Sequence, residues 1–449
     1  MREVLLKGKK PSPQNDPVRT EPTEGSCAEL SGETRIYDHL DRKNFTAERK
    51  AMLIGRKVRR NLFFHCSKIL DAFYYLQKVS YVEVSMKWKK DPFFDSIDIL
   101  TKARELRPLL SLKNIIAKEP EKCIPISAVS KRDRELEISG RVASFLRRYP
   151  AVFEEFTGPK HNLPWFRLTQ EAIHLDQKER DVYLKRRPEI LDRLRRFIMM
   201  SRNNVVPLRI IQGMLWYLGL PEDFLKNSEE ISDGLFRVVE IGDGEQGLST
   251  EANPNEQVFS ALQKYAMKQD TIGPVTFPLF PSKGLRLKKK IENWLEEFQR
   301  IPYVSPYEDF SSLDPNSDIS EKRVVGVLHE LLCLFVDNSA ERRKLLCLKK
   351  FLGLPQKFHK AFERHPHVFY LLLKSKTCFV VLKEAYCGCT TTEIGRHPML
   401  ETRNQYVKLM SKSQGMLRSR RNKKPYVESE GGIGFKPEKG HEKEFNDIL

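Results

Sequence analysis

The sequence predicts a mainly α-helical protein with short β segments, built from repeat-like helix–turn–helix–strand units. Three observations predict it. Apolar residues recur at helical spacing in stretches such as 188–201 and 285–299. Short β-like runs separate those stretches. Two phrases occur twice: "RRYPAVF" at 147–153 returns as "RHPHVF" at 364–369, and "LGLPEDF" at 218–224 returns as "LGLPQKF" at 352–358. A chain of 449 residues exceeds one average core, so two lobes or an array of similar units is expected.

Residues 1–51 are polar, rich in Ser, Thr, Pro and Glu, and lack hydrophobic periodicity, which predicts a disordered segment. Residues 52–85 begin with "MLIGRKVRRNLFFHCSKIL", carrying Arg56, Lys57, Arg59, Arg60 and Lys68 and no acid. On a helix Leu62, Phe63, Cys66, Ile69 and Leu70 share one face, with Lys68 off it. This is the composition of a mitochondrial presequence with Met52 as the functional start, although Glu3, Asp16, Glu21 and Glu24 precede it. The plainer reading is a basic helix that opens the next domain.

Residues 86–410 read as one helical domain. In 188–201, Ile190, Leu191, Leu194, Phe197 and Ile198 form a stripe, Arg193, Arg195 and Arg196 fall outside it, and Pro188 suits the first turn. In 285–299, Leu287, Ile291, Trp294, Leu295 and Phe298 face inward behind Lys288, Lys289 and Lys290. The run "VVGVLHELLCLFV" (324–336) holds Glu330 and is shorter than the roughly 20 residues a bilayer demands, so it reads as a buried helix. "WFRL" (165–168), "FRVVEI" (236–241) and "CFVVL" (378–382) are the β-like runs. The tail 411–449 is basic and then rich in Gly and Glu, and is expected to be disordered and charged.

The repeated phrases punctuate this pattern. Gly219 and Gly353 suit helix C-caps, while Pro221 and Pro355 cannot continue the old helix but can start a new one. Pro150 and Pro366 are expected to end or kink a helix, and Phe153 and Phe369 to pack the next segment. In the later copy a helix at 341–351, the Leu-Gly-Leu-Pro turn, a second helix and a strand follow in order. The unit so drawn spans roughly 50–70 residues.

Charge bears on partners. Lys and Arg number 78 against 60 acids, a net +18 that suits a polyanion, nucleic acid first. Of the eight cysteines, Cys333 and Cys347 lie among leucines and read as reduced core residues. "CGC" (387–389) has only His397 nearby and no partner pair at zinc spacing, so no metal is expected. No Walker-type loop, HExxH or carboxylate cluster occurs, and no cofactor is expected. Cys66 beside His65, and Cys378 near His365 and His367, leave a thiol hydrolase as a remote third reading.

Five phrases stand in a telling order: "WKKDPFFDSI" (88–97), "LRPLLSLKN" (106–114), "VASFLRRYPAVFEEF" (142–156), "LGLPEDF" (218–224) and "GRHPMLETRNQYVKLM" (395–410). Together they resemble the plant organelle RNA recognition family, the PORR-domain proteins, over about residues 86–410. The resemblance implies import into mitochondria, or alternatively chloroplasts, binding of organellar RNA, and help with group II intron splicing beside other splicing factors. It implies neither catalysis nor membrane insertion.

The chain has no RNP-type strand and no KH loop, so RNA contact is expected from basic helical surfaces and aromatics. The candidates are Lys87, Trp88, Lys89 and Lys90; Lys185, Arg186 and Arg187; Arg193, Arg195, Arg196 and Arg202; Lys288, Lys289 and Lys290; and Arg342, Arg343 and Lys344. Lys and Arg offer phosphate contacts and Trp88 a stacking face. The rival reading is a non-catalytic helical adaptor whose basic surface takes an acidic protein.

Overall fold

The computed structural model describes residues 90–422, apart from 159–162, 227–233, 243, 251–256, 270–272, 283–285, 375–376 and 388–396. The expectations for 1–51, for the presequence or basic helix at 52–85, for Cys66, Lys87, Trp88 and Lys89, and for the tail beyond Asn422 lie outside these residues.

Helices α1 (Pro92–Asp95) and α2 (Asp98–Lys118) lead into β1 (Cys123–Pro125), α3 (Ile126–Val129), α4 (Val142–Arg148), β2 (Phe153–Thr157) and β3 (Pro164–Leu168). The long α5 (Gln170–Met199) follows, then β4 (Val205–Pro207), α6 (Leu208–Leu218), β5 (Phe236–Gly242) and β6 (Glu245–Thr250). Next come α7 (Ala261–Lys268), α8 (Lys289–Arg300) and α9 (Asp318–Leu334). The chain continues through β7 (Ser339–Glu341), α10 (Arg342–Cys347), α11 (Ala361–Arg364), β8 (Phe369–Lys374), β9 (Thr377–Leu382) and α12 (Pro398–Asn422). Helices dominate, and the strands form three antiparallel three-stranded sheets. In each sheet the third strand in sequence lies at the centre, between the first and the second.

The backbone marks the same places in all three sheets. Lys122, Asn204 and Asn338 each precede the first strand with positive φ, closing a turn through N–H donation to Glu119, Ser201 and Phe335. Fifteen positions later (122 to 137, 204 to 219, 338 to 353) Glu137, Gly219 and Gly353 also have positive φ. The residue after each donates its N–H five residues back, to Asp133, Leu215 and Lys349, the hydrogen bond of a left-handed helix cap. Phe153, Phe236 and Phe369 then open the three second strands, and all three are buried.

Two hydrophobic clusters meet at the third sheet. Along β8 and β9, Phe369, Leu371, Val380 and Leu382 join one cluster, while Tyr370, Leu372, Phe379 and Val381 join the other. Alternate side chains point to opposite faces, so a continuous apolar run such as "CFVVL" is what a strand covered on both faces requires. Helix α5 also reaches both clusters, through Ala172 and Leu175 near its start and Ile190–Ile198 near its end.

Several expectations need correction. Pro188 lies inside α5, which starts at Gln170 with the Thr169 hydroxyl accepting from Ala172 N. The loss of one backbone donor is tolerated where flanking turns are packed. The helix expected at 341–351 ends at Cys347, and each Leu-Gly-Leu-Pro turn leads into a short 3-10 turn (Phe224–Lys226 and Phe358–Lys360). Cys347 is exposed, whereas Cys333 packs against the core with its thiol 3.5 Å from His329 Nδ1. Disorder from residue 411 does not hold either, because α12 continues to Asn422: Ser413 is buried and its hydroxyl accepts from Ala151 N at 3.0 Å. Among the described residues no helix is long and apolar enough to cross a membrane.

Candidate nucleic-acid interface

The basic residues singled out in the sequence separate into two kinds. Arg196 is structural. Its guanidinium meets the Glu330 carboxylate at 2.5 Å, donates to the Phe259 carbonyl and the Tyr307 hydroxyl, and lies over the Tyr307 ring. Burial opposes its charge, but Glu330 and Tyr307 outweigh that and hold it protonated. Arg193 donates to the Leu334 carbonyl at 3.3 Å and to Glu189 at 3.2 Å, and burial pushes its pKa down. Arg195 is half-buried. These three lie off the apolar stripe, yet α9 packs against that side of α5 and draws two of them inward.

The remaining candidates reach solvent. Lys185 and Arg186 are exposed and Arg187 half-buried on the middle of α5, with Arg186 3.5 Å from Glu189. Arg202 is exposed just past α5, with its guanidinium 5.5 Å from the centre of the Phe310 ring. Lys288, Lys289 and Lys290 are all exposed at the start of α8. Arg343 is 80% exposed, while Arg342 and Lys344 are half-buried within 3.6 Å of Glu363 and 3.5 Å of Glu137. Lys90 is 75% exposed beside Asp95. Exposed pairs of this kind cost little to open, so these cations remain usable by phosphates.

Two clefts add residues that the sequence did not disclose. One, of about 500 Å³, lies between α2, α5, α6 and α12, with Trp216 and Arg403 in its wall. Tyr183 and Leu184 also line it, which puts the Lys185–Arg187 triad directly beside it along α5. The other, of about 460 Å³, opens at the first turn of α9 and carries Lys357, Lys360 and Arg364. Arg364 there pairs with Glu321 at 2.7 Å. Nearby, Arg323 is buried with its guanidinium 3.5 Å over the Phe310 ring, and burial pushes its pKa down to about 10.

Among the described residues, groups for covalent chemistry are not assembled. Burial pushes the Cys378 thiol up, the reverse of what an attacking thiolate needs, and outweighs the nearby Arg342 guanidinium that pulls it down. His397 is buried with Nδ1 accepting from Met399 N, and Cys389 lies outside the described residues. Among the described residues no three metal-ligating side chains cluster.

Residues 89–415 match the plant organelle RNA recognition domain. The chain belongs to this family. A relative from Arabidopsis thaliana, Protein WHAT'S THIS FACTOR 9, mitochondrial, is 55% identical over 77% of this chain and 90% of its own length. Protein WHAT'S THIS FACTOR 1, chloroplastic, from Zea mays is 27% identical over 75% of this chain and 67% of its own. Protein ROOT PRIMORDIUM DEFECTIVE 1 from Arabidopsis thaliana is 28% identical over 63% and 74%. No solved structure matches the chain at a significant level. The match to the RNA recognition domain covers both clefts and every described cation named above.

Proposed function

We propose that this protein binds intron-containing RNA in plant mitochondria and promotes group II intron splicing, leaving the chemistry to the RNA. The match of residues 89–415 to an organelle RNA recognition domain carries the reading. The net charge of +18 and the exposed cations on α5, α8 and α10 support it. Mitochondria are favoured over chloroplasts because the 55% identical relative is named mitochondrial, whereas the relatives named chloroplastic stand near 28%. Such a protein acts by releasing counterions from phosphates and by trapping one RNA conformation among several. No covalent step is assigned to it.

The three sheets support a finer reading, in which the RNA-binding domain is three imperfect copies of one unit. Each copy comprises a long helix, a positive-φ turn, a short strand, a helix, a second positive-φ residue fifteen positions after the first, and a hairpin whose second strand takes the central place. Repetition would present similar helix ends at intervals along one surface, as a long RNA requires. The domain limits are part of this proposal: 86–410 for the RNA-binding part, extended by α12 to Asn422.

The test is binding of purified protein to a group II intron RNA and to an unrelated RNA of equal length, across a salt series. Intron RNA should bind more tightly, and log affinity should fall linearly with log salt. Equal affinities for both RNAs, with tight binding to an acidic protein instead, would favour the adaptor reading.

A further inference from the structure

The cleft between α2, α5, α6 and α12 has the chemistry of a site for an unpaired nucleobase, and we propose that it holds one base of the bound RNA. This rests on the RNA-binding reading above and deepens it. The wall is built around Trp216, half-buried at the end of α6. One face of its indole carries the Arg403 guanidinium at 3.8 Å, and the same guanidinium donates to the Trp216 carbonyl at 2.6 Å. Arg403 is itself anchored, 2.9 Å from Asp337, and almost wholly buried. The ring is thereby fixed in place and electron-poor, as a stacking platform for an electron-rich base should be.

Charge decides between a base and a phosphate. Four cations, Lys113, Lys118, Arg180 and Arg403, line the cleft together with four carboxylates, from Asp176, Glu179, Glu222 and Asp223. Lys113 is spent on Asp176 at 2.6 Å and Glu179 at 2.7 Å, Arg180 on Asp176 at 2.7 Å, and Lys118 on Asp223 at 2.8 Å. The cleft is therefore neutral inside a strongly basic chain, and a phosphate gains nothing by entering it. Asn114 lines the same wall, and its amide makes no hydrogen bond among the described residues, leaving a donor and an acceptor for a base edge. Immediately outside, Lys185 and Arg186 stand exposed on the next residues of α5 after the lining Leu184. The volume of about 500 Å³ takes a nucleoside with room to spare. The arrangement thus places a base inside and its flanking phosphates on the α5 triad.

The probe is a short single-stranded RNA compared with the same backbone made abasic, both measured against the full chain at several salt concentrations. Stacking of one base is worth about 1–3 kcal/mol, so the base-bearing RNA should bind roughly 5- to 150-fold more tightly at equal salt. Trp216→Leu, checked for folding by thermal melting, should lose most of that ratio and keep the salt slope. Leu184→Gln, at a position 67% exposed, takes apolar surface from the mouth of the cleft without adding charge, and should likewise lower the ratio and keep the salt slope. Equal binding of base-bearing and abasic RNA by wild type overturns the proposal, and so does a ratio that survives both substitutions, which would leave the cleft to an apolar side chain of a protein partner. Failure of both RNAs to bind even at low salt would instead overturn the RNA-binding reading on which the proposal rests.

Discussion

Replacing Arg196 by Ala removes the only guanidinium that faces the Glu330 carboxylate among the described residues, and Glu330 is 1% exposed. The carboxylate keeps two partners, the Tyr307 hydroxyl and Ala261 N, both at 2.7 Å. Its charge, however, is left buried without a counter-charge. Breaking one side of a buried pair costs about 3–5 kcal/mol, far above the 0–1 kcal/mol of an exposed pair. For a domain of this size the melting temperature should therefore fall by several degrees. Tyr307→Phe removes two charged hydrogen bonds, the one its hydroxyl donates to Glu330 and the one it accepts from Arg196, each worth about 1.5–3 kcal/mol. The assay is thermal melting of the two single variants and the double variant, alongside RNA affinity at a temperature where all are folded. Affinity should change little, because Arg196 faces the core. An Arg196→Ala protein with wild-type melting and weakened RNA binding would refute the assignment of Arg196 to structure.

Glycine caps give a second prediction: Gly353→Ala should destabilise more than Gly219→Ala. Both carry positive φ (59° and 86°), worth about 1–2 kcal/mol, but a Cβ at 353 runs into the Phe310 ring while one at 219 meets only Val336 Cγ2 at 2.8 Å. Equal melting temperatures would show that Phe310 yields freely. Acid sensitivity gives a third. Burial, with Lys383 beside one and Arg193 beside the other, holds His367 and His397 down at about 4, against 6.5 unfolded. The unfolded chain takes up these protons first, so stability is full above pH 6.5 and is lost as pH falls toward 4, by on the order of 2–3 kcal/mol per histidine. Asp318, raised to about 6 by burial and Glu321, titrates in the opposite sense and offsets part of this. His367→Asn should flatten the profile of melting temperature against pH, and an unchanged profile would rule that histidine out. On the RNA side, Lys185→Glu with Arg186→Glu should weaken binding to all sequences and reduce the salt slope by about 1–2, without lowering the melting temperature.

The strands at 165–168, 236–241 and 378–382 were legible because β-branched and aromatic residues concentrate there, and the left-handed glycines because each stands in a Leu-Gly-Leu-Pro phrase after a leucine-rich stretch. The three short first strands were not, since three residues such as Ser339–Glu341 carry no period and are strands only through pairing with β9. The arginines of α5 misled for a related reason. A helix read alone has one apolar face, but α5 is packed on more than one side, and its polar side receives the carboxylate of a helix 134 positions away. Helix α9 shows the same limit, with Lys322 and Arg323 buried just before the apolar run 324–336 and His329 and Glu330 buried within it. The base-sized cleft was beyond the sequence altogether, because Asn114, Trp216 and Arg403 meet only once the helices have packed.

The central claim is that this chain's cellular partner is intron RNA. It is tested most directly by isolating the tagged protein from plant mitochondria and sequencing the RNA that comes with it. Reads concentrated on group II introns, and lost in high salt, are the predicted result. RNA no richer in introns than a mock isolation, together with a stoichiometric acidic protein, would contradict the account.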